Sequence, residues 1–348
     1  MSFDSERPVF VTGGGGFLGG HLVRQLLDAG RSVVVIERPG FDQAKLPAEV
    51  EGRHADIRDA GAVRAALADC RDAEVYHLAA NPHLWARDRA EFEAVNHQGA
   101  RHVIDIALEH RASRVLHCST ESILTKRIWP KGVAIDEQVA IDESDAVGPY
   151  CLSKLRAEKY AIELGRQGLP VVVANPTMPI GPDDPGPSPP TCLILDFLMR
   201  RMPGYMDCSL NLVDSRDVAT GLIRVMELGH PGRRHLLAGE NVSLAGLLDR
   251  IAALTGLNAP KIRIPYAVGL SYAYLSEWVA DYWTGNRPMA TVTGLRLARR
   301  IMHFDDSSTR SLIEWRARPL GESLDDTLTW IYRSGRFPRV SRTAIRID

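Results

Sequence analysis

Tyr150 and Lys154 stand four residues apart in Tyr150-Cys151-Leu152-Ser153-Lys154. On a helix, positions i and i+4 share a face, so a phenol and an ammonium can enter one site. A free tyrosine has a pKa of about 10 and is a poor proton donor or acceptor at neutrality. A fixed cation beside it favours the phenolate and is expected to draw that value down towards the working pH. The same spacing also arises on an ordinary solvated helix face. The pair therefore gains meaning only from the segments that could surround it.

Pro8-Val9-Phe10-Val11 is a short apolar run that reads as a buried parallel strand. It leads into Thr12-Gly13-Gly14-Gly15-Gly16-Phe17-Leu18-Gly19-Gly20, and residues 21–30 then carry apolar side chains at helical spacing up to a glycine stop. Strand, glycine turn and helix N-terminus suit a dinucleotide: glycines allow close backbone approach, and free N–H groups with the helix dipole meet a pyrophosphate. Gly13, Gly16 and Gly19 have the Gly-x-x-Gly-x-x-Gly spacing, with Phe17 and Leu18 opening the helix. A second strand, residues 32–36, ends at Glu37 and Arg38. An acid there can accept hydrogen bonds from the adenosine ribose and repel a 2′-phosphate, whereas Arg38 would welcome that phosphate. Glu37 at the strand end favours NAD, with NADP the alternative. In His54-Ala55-Asp56-Ile57, Asp56 either contacts the adenine edge beside Ile57 or caps the next helix.

Further motifs follow in order: Tyr76-His77-Leu78-Ala79-Ala80, Val95-Asn96-His97-Gln98-Gly99, Leu116-His117-Cys118-Ser119-Thr120, Tyr150 to Lys154, and Asn175-Pro176-Thr177. With the glycine loop they resemble the extended short-chain dehydrogenases/reductases of the NAD-dependent epimerase/dehydratase group, along nearly the whole chain. The resemblance implies that Ala79 and Ala80 line the cofactor groove and that Asn96 orders a proton-relay region. It also implies that Thr120 holds the substrate oxygen, Tyr150 and Lys154 serve catalysis, and Pro176 and Thr177 flank the nicotinamide. His77 to Ala86, Asn175 to Pro182 and Asn211-Leu212-Val213-Asp214 resemble more narrowly the hopanoid-associated sugar epimerase family, a relative of dihydroflavonol reductases and 3β-hydroxysteroid dehydrogenases.

The departures carry information too. Nucleotide-sugar epimerases usually continue the sixth strand with Arg-x-x-Asn-x-Tyr-Gly-Pro, whereas this chain has Asn175-Pro176-Thr177-Met178-Pro179-Ile180-Gly181-Pro182 and lacks that tyrosine. Sugar dehydratases carry Thr-Asp-Glu after the fifth strand; here Thr120 is followed by Glu121 and Ser122, a displaced half of that signature.

The 348 residues suffice for a substantial core, and a net charge of −1 offers no argument for nucleic acid. Five scattered cysteines without a Cys-x-x-Cys suggest a reducing, cytoplasmic setting without disulfides or a bound metal. No apolar run approaches the roughly 20 residues of a membrane span, and Asp4, Glu6 and Arg7 do not read as a signal peptide. Alternating strands and helices to about residue 176 predict an α/β, Rossmann-type doubly wound parallel sheet. The expected units are residues 1–176 for the dinucleotide, with a helix near 217–227 and a strand at 234–238 returning to it. Residues 177–214 and 240–348 would then form a smaller C-terminal substrate-binding lid. The prolines of residues 181–190 argue against regular helix and for an ordered loop beside the substrate, a disordered linker being the alternative. In the lid, Tyr272, Tyr274, Trp278, Tyr282 and Trp283 suit an apolar substrate wall, a peripheral membrane contact, or packing between lid and core.

The chain thus reads as an NAD(P)-dependent oxidoreductase acting on a ketone or secondary alcohol of a small hydrophobic, lipid-like molecule such as a keto-sphingolipid, sterol or hopanoid-linked compound. A sugar or nucleotide-sugar epimerase or dehydratase working by transient oxidation is the alternative, and a cofactor-binding sensor without turnover is a second. Homodimerisation is an expectation of the family resemblance.

Overall fold

The computed structural model describes residues 8–130 and 132–335; Asp4, Glu6, Arg7 and the last residues of the expected lid lie outside them. Seven parallel strands form the main sheet: β1 (Val9–Thr12), β2 (Val33–Glu37), β3 (Glu51–His54), β4 (Glu74–His77), β5 (Arg114–Cys118), β6 (Val171–Pro176) and, after two strands described below, β9 (Arg234–Leu237). Their order is β3-β2-β1-β4-β5-β6-β9. Every pairing is parallel, from Val9 opposite both Val33 and Glu74 to Asn175 opposite Leu236. The order reverses between β1 and β4, and a crevice beyond the carboxyl ends of the strands at such a point is where this topology accepts ligands.

Apolar runs become strands here because both faces are covered. All four residues of β1 and all six of β6 are buried. Val9 and Val11 join Leu22, Leu26, Val218 and Leu222 on one face, under α1 (Phe17–Asp28) and α7 (Ser215–Leu228). Phe10, Val34, Val75, Val103, Ile104 and Ala161 fill the other face, under α2 (Ala60–Ala66), α4 (Ala100–Glu109) and α5 (Gly148–Arg166). Each such side chain contributes about 1.5–3 kcal/mol on burial.

A short helical turn α3 (Ala90–Phe92) and a π turn over Glu93–Gly99 run directly into α4. After β6 the chain forms β7 (Met178–Ile180), α6 (Pro189–Leu198) and β8 (Ser209–Asp214), and after β9 it adds β10 (Glu240–Ser243). These give a second sheet of order β10-β8-β7, followed by α8 (Leu244–Thr255), α9 (Tyr266–Val279), α10 (Val292–Ala298), α11 (Ser307–Leu312) and α12 (Leu320–Arg333). The proline run does contain helix: α6 starts on Pro189 and Pro190, because first-turn positions need no intrahelical N–H. The rest of that run is pinned to α1, by His21 Nε2 at 3.0 Å from the Pro182 carbonyl and Arg24 at 2.8 Å from Asp183. Asp184, buried, accepts from the Ser188 N–H at 2.7 Å.

The aromatic lid segment forms α9 and a π turn over Ala280–Thr284. Packing between lid and core does not account for it. Within α9 only Ala273 is buried, while Tyr282 and Trp283 of the turn are 75% and 77% exposed. Among the described residues, no helix is long and apolar enough to cross a membrane.

A polar junction locks α5 to the sheet. Glu158 is fully buried and holds Arg234 of β9 at 2.6 Å; its other oxygen accepts from Asn175 of β6. Arg234 also donates to the Val139 carbonyl at 2.6 Å. Removing one partner of such a pair leaves a buried charge unmatched and costs about 3–5 kcal/mol. Glu158→Ala should lower the chemical-denaturation midpoint accordingly, while Glu163→Ala, exposed on the same helix, should leave it within experimental error.

Candidate active site

The glycine loop closes around its own backbone. Gly13 has φ +75°, and a Cβ there would lie 2.8 Å from the Ala79 nitrogen after β4. A Cβ on Gly19 would stand 2.1 Å from the Gly13 carbonyl oxygen and 2.8 Å from the Gly14 Cα. Both neighbours are backbone, so neither can move aside. Gly16 is the N-cap of α1 and supplies no side chain to its first turn. The first N–H groups of that helix are therefore left for a ligand, as a pyrophosphate requires. Phe17 and Leu18 open the helix.

Glu37 ends β2 and turns inwards: its Oε1 accepts from the Gly15 N–H at 2.9 Å. Burial raises its pKa, opposed by the Gly15 and Arg38 N–H groups. Arg38 is exposed. Asp56 does not cap α2, since Asp59 accepts from Gly61 and Ala62 in that role. Asp56 instead binds Arg58, which lowers its pKa; the Asx geometry at Arg58 N outcompetes a cap three residues away. Ile57 is buried against the Gly99 Cα, and its carbonyl lies 2.9 Å from His102 Nδ1. Phe41, which sequence reasoning passed over, covers the loop so closely that a Cβ on Gly15 would meet its ring at 2.2 Å. Its only signal was an aromatic shortly after an acidic strand end. The glycine cradle and uncapped helix fit a dinucleotide.

At the carboxyl ends of β5 and β6 the second cluster assembles. Thr120 caps a short 3-10 turn over Glu121–Leu124. Its hydroxyl donates to Glu121 Oε2 at 2.9 Å and lies 3.1 Å from Ser122 Oγ, with the Tyr150 side chain among its neighbours. Tyr150 is buried in the first turn of α5 with its ring edge against Phe92 at 6.2 Å. Lys154, 4% exposed, donates through Nζ to the Cys118 carbonyl at 2.7 Å. Asn96, buried within the π turn, accepts from Asn81 N–H at 2.7 Å through Oδ1. Through Nδ2 it donates to the Asn81 carbonyl and to Ser153 Oγ at 3.3 Å. Ser153 in turn donates to the Tyr150 carbonyl at 2.9 Å, so Asn96 ties α5 to the loop after β4. Thr177 spends its N–H and hydroxyl on the Leu237 carbonyl, next to Pro176 at the end of β6. Ala80 follows Ala79 at the edge of the same crevice, and both are partly exposed.

One electrostatic expectation is corrected. Tyr150 is pushed well above the ordinary tyrosine value, first by burial and then by Cys151 and Glu121, with Thr120 opposing. Lys154 is itself drawn down by burial, and its ammonium points at the Cys118 carbonyl instead of supporting a phenolate. Desolvation favours the neutral forms of both groups and outweighs their proximity along the helix. His77 and His117 stack 5.5 Å apart at the ends of β4 and β5, and burial keeps both neutral, His77 falling to about 3.

Two polar residues that the sequence motifs contain, without a role assigned to either, also belong to the site. Asn175 donates to the Thr120 carbonyl at 3.2 Å and so fixes that strand end. Glu121, 6% exposed, has its carboxyl raised to about 7 by burial.

The cradle gives a direct test. Gly19→Ala should cost about 1–3 kcal/mol by overpacking and weaken NADH binding at least tenfold, read by nicotinamide fluorescence. Gly20→Ala, where the nearest atom to a new Cβ is 3.9 Å away, should bind normally; equal binding by both variants would refute the cradle.

Known proteins resemble this chain along nearly its whole length. A Synechocystis protein whose name refers to dihydroflavonol 4-reductase is 32% identical, over 94% of this chain and 95% of its own. Sterol demethylase protein B of Methylococcus capsulatus is 30% identical, over 93% and 98%. The crystal structure of gox2253 superposes with a TM-score of 0.82 at 30% identity, over 95% and 99%. The fold also matches a Thermus thermophilus UDP-glucose 4-epimerase solved with NAD, with a TM-score of 0.73 at 19% identity over 93% and 99%. Residues 9–239 match the NAD dependent epimerase/dehydratase family. The chain belongs to that family and is an NAD-dependent enzyme of the extended short-chain dehydrogenase/reductase type.

Proposed function

We propose that the protein interconverts a ketone and a secondary alcohol on a small hydrophobic, lipid-like substrate. The observation that carries the reading is the buried cluster of Thr120, Glu121 and Tyr150, with Lys154 one helical turn from Tyr150 on the same helix. NAD supplies or accepts the hydride when bound. Gly13, Gly16, Phe17, Leu18 and Gly19 would hold its pyrophosphate, Glu37 or Arg38 its adenosine ribose, and Asp56 with Ile57 its adenine edge. Ala79, Ala80, Pro176 and Thr177 would line the groove towards the nicotinamide. NADP is disfavoured by a Glu37 carboxylate already turned onto the loop.

In reduction, Tyr150 donates its proton to the developing alkoxide, and Thr120 holds that oxygen in line. The phenol is neutral and holds the proton to be given, but burial makes it a weaker acid than a free tyrosine, so the transfer depends on a cation that steadies the phenolate. Lys154, one turn along α5, would have to steady a transient phenolate with the two N–H donors that its bond to the Cys118 carbonyl leaves over. Asn96 keeps α5 and the loop after β4 in register.

Three features favour a hydrophobic substrate. The segment after β6 lacks the tyrosine usual in nucleotide-sugar epimerases. The relatives' names refer to a reductase and to sterol demethylation. The lid presents Tyr272, Tyr274, Trp278, Tyr282 and Trp283 outwards, a surface suited to peripheral contact with a membrane holding such a substrate. On this reading residues 177–214 and 240–348 act as the substrate lid over a cofactor unit of 1–176 completed by residues 215–239. The five free cysteines fit a cytoplasmic setting, and a homodimer would form through the helices bearing Asn96 and Tyr150.

Epimerisation is the second reading, favoured by the match to the epimerase/dehydratase family: the same groups would oxidise a carbinol transiently and reduce it on the other face. Incubation of lipids and polar metabolites with enzyme and deuterated NADH separates the two. Net reduction leaves deuterium on a carbinol carbon of a hydrophobic product, whereas epimerisation interconverts epimers with no net change in NADH. Tyr150→Phe should abolish turnover, at least a hundredfold, while retaining NADH binding; turnover at the wild-type rate would remove Tyr150 as proton donor.

A further inference from the structure

Glu121 has no part in the reaction just described, yet its carboxylate lies inside the site. Oε2 accepts the Thr120 hydroxyl at 2.9 Å, while the Ser122 N–H donates to Thr120 Oγ1 at 3.3 Å. Tyr150 and Cys151 face it from α5, and Arg300 lies beyond Cys151, donating to the Asp145 carbonyl at 3.3 Å. Lys154 and the Cys118 thiol complete the charged and titratable surroundings of Tyr150, with the ammonium spent on the Cys118 carbonyl. Among the described residues no guanidinium or ammonium pairs with Glu121. Burial alone therefore dominates its titration and raises the carboxyl to about 7.

A threonine hydroxyl carries a single hydrogen. While Glu121 is ionised, that hydrogen is held by Oε2, and Thr120 can offer the reacting oxygen only lone pairs. Lone pairs suit an alcohol O–H and repel a carbonyl oxygen. Once Glu121 is protonated it can donate to Thr120 Oγ1, which frees the threonine hydrogen for a carbonyl or for the Tyr150 phenolate. We propose that Glu121 is a positioning and proton-holding residue that acts through Thr120, its protonation state deciding whether the site favours the ketone or the alcohol. The inference rests on the ketone/alcohol reading of the same site.

The protons balance. In reduction the carbonyl carbon gains hydride from NADH, which is oxidised, and the carbonyl oxygen gains the Tyr150 proton. The phenolate then takes the Thr120 proton, Thr120 takes one from the Glu121 carboxyl, and the carboxylate is reprotonated from solvent. Oxidation runs the same steps backwards.

The test compares wild type with Glu121→Gln, which keeps the shape and loses the ionisation, and Glu121→Asp, which keeps an ionisation. With the substrate found through deuterated NADH, wild-type reduction should fall about tenfold per pH unit above about 7. Glu121→Gln should show no such limb, and Glu121→Asp should show it at a shifted pH. A second readout needs no substrate. The Tyr150 phenolate, identified in tyrosinate absorbance by its loss in Tyr150→Phe, should form at lower pH in Glu121→Gln, because the Glu121 charge opposes it. An unchanged reduction limb together with an unmoved Tyr150 titration in Glu121→Gln overturns the proposal while leaving the oxidoreductase reading intact. Failure of wild type to transfer hydride to any carbonyl, with the Tyr150 titration moved as stated, overturns the oxidoreductase reading and retains the Glu121–Thr120–Tyr150 link.

Discussion

A lysine charge held out of water is the constraint around which the site is built. Lys154 is almost fully buried and donates a hydrogen bond to the Cys118 carbonyl. An isolated buried ammonium is costly enough that a protein either neutralises it or surrounds it with compensating groups. One turn further along α5, Glu158 contributes negative potential to Lys154. Glu158 is itself held by Arg234 of β9 and Asn175 of β6, and Asn175 also anchors the Thr120 carbonyl. The contacts that relieve the buried charges therefore fix α5 against three strand ends. Tyr150 and Thr120 inherit their mutual geometry from that network and from the buried cluster in which Tyr150 packs with Leu297, Met302 and Phe304.

The parts legible in the sequence are those decided by local pattern. Val9 to Thr12 and Val171 to Pro176 read as parallel strands because burial on both faces demands unbroken apolar runs. Gly13 and Gly19 were legible because only glycine permits the backbone contacts they make. Tyr150 and Lys154 were legible as one helix face. The phenol's titration was not, because its direction depends on depth of burial and on Glu121, which approaches through a 3-10 turn that spacing alone does not announce. Arg234 and Glu158 are 76 residues apart and meet only once β9 has returned beside β6. Of the two roles read for Asp56, the cap fails for a local reason: an aspartate two residues before an arginine can satisfy itself without capping the helix that follows. The start of α6 at Pro189 misled because proline opposes helix interiors but suits their first turn.

The site divides its labour along the chain. On the proposed reading, the acid–base groups Thr120, Tyr150 and Lys154 stand after β5 and on α5, all buried within the main sheet's frame. Segments that could meet the variable part of a substrate come later: the Gly181–Pro190 run held to α1, the small β10-β8-β7 sheet, and α9 with its outward aromatics. Asp281 links the two sets, accepting from Trp85 Nε1 at 3.0 Å and from Arg89, so the aromatic lid is tied to the loop after β4 that also carries Asn81.

That link has a physical consequence. Asn81 is gripped by Asn96, and Asn96 reaches Ser153 on α5. A shift of the lid at Asp281 would therefore pull on the same loop whose far end is bonded to the helix bearing Tyr150. Packed elements with discrete hydrogen-bond partners respond to such strain by keeping or exchanging partners, not by deforming smoothly. On the proposed reading the chemistry rests on the sheet edge and α5. Substrate choice can diverge in the lid while the Trp85–Asp281 and Asn81–Asn96 contacts keep it in register with Tyr150.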